Sequence, residues 1–67
     1  MNIDIRKHIL NNFKEAGDND IKSSIIDSIK DGDEVTLPGL GVFFELLWME
    51  SSEEDKNTII KKIKKRI

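Results

Sequence analysis

The chain has 67 residues, 36% of them charged, a formal net charge of −2 and no cysteine. A chain this short makes one domain, 1–67, and on folding buries only about 60% of the surface its unfolded form exposes. Disulfides and thiolate zinc sites are excluded, which leaves association with another subunit as the way to enlarge the core.

Residues 1–5 carry no basic leader and begin no apolar run, so no signal peptide is expected. The pattern over Ile3 to Glu15 predicts an amphipathic helix. Ile5, Ile9, Leu10 and Phe13 share one face at 100° per residue, and Asn2 or Asp4 is placed to cap the start. Gly17 comes just after, where a positive φ is often wanted. A second helix is expected from Asn19 to Lys30, capped by Asp18 or Asn19 and stopped at Gly32, with Ile21, Ile25, Ile26 and Ile29 as its stripe. A short polar connection between the two suggests a helical hairpin.

Asp31-Gly32-Asp33-Glu34 reads as a polar turn. Pro38 pushes Leu37 towards an extended conformation, and Gly39 and Gly41 punctuate the chain beyond it. The stretch from Val42 to Glu50 is apolar on nearly every side, so periodicity does not decide its state. Leu, Met and Glu favour a helix, whereas Val, Phe and Trp favour a strand; the helix is the preferred reading. Ser52 to Lys65 is expected to form a last helix. Ser51-x-x-Glu54 has capping-box spacing, Ile59, Ile60, Ile63 and Ile67 make the stripe, and the charges run from acidic to basic along it. The expected fold is all-α, a small bundle of about four short helices. The alternative is α+β, with a helical hairpin followed by a β-hairpin over 35–49.

No catalytic, cofactor-binding or metal-ligating set emerges. His8 projects away from the Ile5/Ile9/Phe13 face, and Ser23, Ser24 and Ser28 have no histidine nearby in sequence. Asp31, Asp33 and Glu34 miss the calcium-loop pattern. Gly39-x-Gly41 lacks the third glycine of a dinucleotide fingerprint and the Lys-Ser/Thr of a phosphate loop. No run approaches the roughly 20 apolar residues of a membrane span.

Two surfaces remain. Val42 to Met49 has seven apolar residues in eight positions, more than two short helical stripes easily cover. Phe43, Phe44 and Leu47 suit the core, whereas Leu40, Leu46, Trp48 and Met49 are candidates for a subunit interface, a homodimer included. The second surface is the basic end. Residues 1–50 carry five basic and ten acidic side chains, whereas residues 51–67 carry six basic and three acidic. Lys61, Lys62, Lys64, Lys65 and Arg66 are the candidate nucleic-acid contacts. Their plainer reading is a surface helix whose cations suit the negative end of its dipole. The overall acidity disfavours a general DNA coat.

Leu37, Pro38, Gly39, Leu40, Gly41, Phe44, Glu45 and Trp48 stand in the pattern L-P-G-L-G-x-x-F-E-x-x-W. Gly32 and Glu34 precede it, and Ser52, Glu53 and Lys56 come after it. In this block the chain resembles the I-type small acid-soluble spore protein family. The resemblance implies a minor protein with no known enzyme activity, made in the forespore of a spore-forming Gram-positive bacterium and kept in the spore core. With the absence of reactive groups, the leading expectation is a non-enzymatic structural or interaction role, by self-association or against another spore component. It does not imply DNA coating, which belongs to the unrelated α/β-type spore proteins. Lys30 to Phe43 also resembles, more weakly, the turn region of the histone-like DNA-bending family, which would make 35–49 a hairpin. The arginine-rich arm of that family is absent.

Overall fold

The computed structural model describes residues 4–32 and 34–67 and contains α-helices α1 (Ile5–Phe13), α2 (Asp18–Asp31), α3 (Leu37–Glu50) and α4 (Glu53–Lys64), with a 3-10 turn over Glu34–Thr36 before α3. No strand occurs among the described residues. The all-α reading therefore holds, and the alternative β-hairpin at 35–49, with its histone-like topology, is corrected: that stretch is the 3-10 turn and α3.

The helix ends obey local chemistry. Asp4 caps α1, its carboxylate accepting from the Lys7 amide at 3.0 Å; Asn2, the other expected cap, lies outside the described residues. Gly32 ends α2 with φ 59°, the left-handed geometry a C-terminal glycine supplies most cheaply. Gly17 differs from expectation. Its φ is −77° and its ψ 167° because it starts α2 rather than ending α1, and it, not Asp18 or Asn19, is the N-cap. Asp20, in the first turn, accepts the Gly17 amide at 3.2 Å.

Leu37 is helical rather than extended, because Pro38 falls in the first turn of α3, where a missing amide proton costs nothing. The break between α3 and α4 divides the labour of adjacent serines. Ser51 ends α3, its hydroxyl donating to the Leu47 carbonyl at 2.6 Å. Ser52, one residue later than the expected cap Ser51, starts α4 and accepts from the Asp55 amide at 3.1 Å.

Helix α3 is the hub. On its α1 side, Phe43 meets Phe13 edge-on with ring centroids 5.1 Å apart, and a Cβ built on Gly39 would lie 3.6 Å from Ile9 Cδ1. Val42, 7% exposed, is the one buried side chain among the described residues. The Thr36 hydroxyl donates to the Ser28 carbonyl at 3.3 Å and ties the start of α3 to the end of α2. Ile9, Leu10, Phe13, Ile21, Ile25, Phe43 and Leu46 line a cleft of about 560 Å³ among α1, α2 and α3.

Candidate functional site

The motif block of residues 37–48 resolves into two sides of one helix. On the first side Glu45 reaches α1. Arg6 Nε and a terminal guanidinium nitrogen donate to its two carboxylate oxygens at 2.5 and 2.7 Å, the paired fork geometry that arginine offers a carboxylate. The hydrogen bond from Arg6 holds the Glu45 carboxyl below its ordinary pKa, and the same bond raises that of Arg6.

The second side faces α4. Gly41, Phe44 and Trp48 have the i, i+3, i+7 spacing that stacks residues along one helix face. With Glu45 and with Ile60 and Ile63 from α4 they line a groove of about 510 Å³. Phe44 and Trp48 lie 5.9 Å apart at 31°, and Lys56 Nζ sits 5.3 Å from the Trp48 ring centroid, within cation–π range. A Cβ added at Gly41 would meet nothing within 4 Å. No neighbour among the described residues requires a glycine there, although glycine in a helix costs about 1 kcal/mol relative to alanine.

The expected interface residues do not share a single environment. Leu40 and Trp48 are half-buried, Leu46 borders the α1–α2–α3 cleft, and Met49 is 73% exposed. Leu37 is exposed too, and so are Phe44 and Leu47, a correction to their expected place in the core: of that trio only Phe43, packed on Phe13, is turned inward. Lys61, Lys62, Lys64, Lys65 and Arg66 are all exposed and enter no ion pair among the described residues.

A compact monomer of 7.7 kDa exposes about 4,300 Å² by the scaling of folded proteins. This chain exposes 6073 Å², an excess of about 1,700 Å². The excess is substantially apolar: Ile26, Ile29, Leu37, Leu47, Met49 and Ile67 are each more than half exposed.

Reactive chemistry does not converge. Among the described residues no three His, Asp or Glu side chains cluster as a metal site, and no helix is long and apolar enough to cross a membrane. His8 is exposed beside Asn12, 3.2 Å from its amide nitrogen. Asp33 of the polar turn lies outside the described residues. Two features escaped the sequence reading. Arg6 is 39 positions from Glu45, with no local signal to link them. The second is the pairing of Ile60 and Ile63 with Gly41, to which the helical spacing of each stripe points only once α3 and α4 are known to face each other.

The profile of the family described as small, acid-soluble spore protein I matches residues 3–67. The chain is 35% identical over 63 residues to small, acid-soluble spore protein I of Halalkalibacterium halodurans, covering 94% of this chain and 93% of that one. It is 36% identical over 61 residues to the proteins of the same description from Bacillus velezensis and Bacillus subtilis, covering 91% of this chain and 86% of each relative. No solved structure matches. With nearly the whole length matched and these identities, the chain belongs to the small, acid-soluble spore protein I family.

Proposed function

We propose that this spore protein is non-enzymatic and acts in the forespore and then the spore core by contact, as a structural or interaction module. The observation that carries the reading is the apolar surface left open on a chain with a single buried side chain among its described residues. Catalysis needs groups held together with matched proton affinities, whereas partner binding needs an apolar patch with a polar rim. This surface is of the second kind.

The test is made in sporulating cells of the source bacterium. A tagged chain is expected in the core fraction of purified spores. In a deletion strain, Phe44→Ser with Met49→Ser should fail to restore the spore property lost, while His8→Ala restores it. The converse pattern, with His8 essential and the apolar pair dispensable, would overturn the reading.

A second reading rests on the five exposed cations of residues 61–66, which have no acidic partner among the described residues. If all five neutralise duplex phosphates, affinity falls with salt with a log–log slope of about −4 to −5. Changing Lys61, Lys62, Lys64 and Lys65 to Gln should abolish such binding. Absence of binding to duplex DNA at low salt eliminates this reading.

A further inference from the structure

We propose that a second copy of this chain seats on the groove between α3 and α4, with the two α4 helices antiparallel about a twofold axis. The inference rests on the contact role proposed above and names the partner.

Exposed area is available. A standard interface buries about 800 Å² on each partner, and the chain exposes about 1,700 Å² more than a compact protein of its mass. That surplus is spread over α2 and α3 as well; its share beside the groove is Phe44, Ile60, Ile63 and Ile67, each at least 40% exposed.

Charge selects which face. Helix α4 begins with Glu53, Glu54 and Asp55 and ends with Lys61, Lys62 and Lys64. An isologous contact brings each patch against its own copy, so a helix acidic at one end and basic at the other is self-complementary only when antiparallel. Helix α2 fails this test. It carries Asp18, Asp20, Asp27 and Asp31 against Lys22 and Lys30, and self-pairing there sets acid on acid.

Geometry sets the depth. The open edge of the α4 stripe is Ile60, Ile63 and Ile67, the last 97% exposed. Glu53 and Lys64 are eleven positions apart, about three turns, and therefore flank that same edge. An antiparallel copy brings Glu53 of each chain to Lys64 of the other and sets the twofold between Thr58 and Ile59, with Ile60 beside it at the groove. Opposite, Gly41 leaves the space a side chain would take, so the second copy approaches the α3 backbone closely. That gives the helical glycine, which no contact among the described residues explains, a physical reason.

The test uses the full purified chain. Sedimentation equilibrium from about 1 μM to about 1 mM should show a mass of 7.7 kDa at the low end rising to twice that value. Gly41→Gln, which adds helix propensity and polar bulk, should weaken the dimer about tenfold or more with helical circular dichroism retained. The natural chain has no cysteine, so a mixture of Glu53→Cys and Lys64→Cys chains should form disulfide-linked dimers faster than a mixture of Asp55→Cys and Lys62→Cys, which lie on the opposite flank of α4. One chain's mass throughout the range overturns the inference and leaves the contact role to another spore component. A dimer unaffected by Gly41→Gln, or one in which the two cysteine mixtures link equally, overturns the placement. Failure of the spore complementation assay with the dimer intact counts against the contact role alone.

Discussion

Arg6 on α1 and Glu45 on α3 form a two-bond fork across the helix pair, at 2.5 and 2.7 Å, and it is the longest-range ion pair among the described residues. The carboxylate's pKa in the folded chain lies below its ordinary 4.5 because Arg6 hydrogen-bonds the charged form. A depressed carboxylate pKa stabilises the fold fully above the unfolded value, and that stabilisation is lost as pH falls through the folded value. Both side chains are well exposed, so the effect is small and screened by salt. Thermal midpoints taken downward from pH 6 should fall more steeply below about 4.5 for the natural chain than for Glu45→Gln.

Val42 is the packing centre of α3. Removing its two terminal methyl groups by Val42→Ala should cost about 1–2 kcal/mol, from lost burial and the space left behind. Urea denaturation at low protein concentration measures this, with the midpoint lowered and the slope kept.

Glycine to alanine should act with opposite signs at two positions. Gly32 has φ 59°, and Gly32→Ala should destabilise by about 1 kcal/mol. Gly41 is within α3 with open space at its Cβ position, and Gly41→Ala should stabilise the dilute monomer by about 1 kcal/mol. The same urea measurement reads both.

Ser52→Ala removes the hydroxyl that accepts the Asp55 amide and should cost about 1 kcal/mol. Ser51→Ala removes only a hydroxyl that donates back to the Leu47 carbonyl, and its cost should be about a few tenths of a kcal/mol. Helical circular dichroism monitored through thermal unfolding separates the two.

The helices with one-sided stripes were legible in the sequence, because a 3.6-residue period survives wherever one face is wet. Helix α3 was preferred on its composition alone, its period giving no signal, and its position explains why. Phe43 meets Phe13, Leu46 borders the cleft to α2, and Gly41 and Phe44 face Ile60 and Ile63. A helix with apolar neighbours on two sides, and with open apolar residues besides, Leu47 and Met49, has no polar face and so no period. Ser51 and Ser52 each precede an acidic residue three positions on, so local pattern alone does not choose between them. The backbone at the end of α3 does, by using Ser51 as its stop. Of the site, the motif block was visible as residues, but not the division of its helix into an α1 side and an α4 side. Arg6 and Glu45 have no sequence relationship at all; their meeting is a product of the fold.

Thermal unfolding of the natural chain across a hundredfold range of protein concentration tests the central claim, that the open α3–α4 surface is covered by a second copy. Association stabilises by mass action, so the midpoint should climb with concentration, and climb much less for Gly41→Gln. A midpoint independent of concentration would contradict the claim.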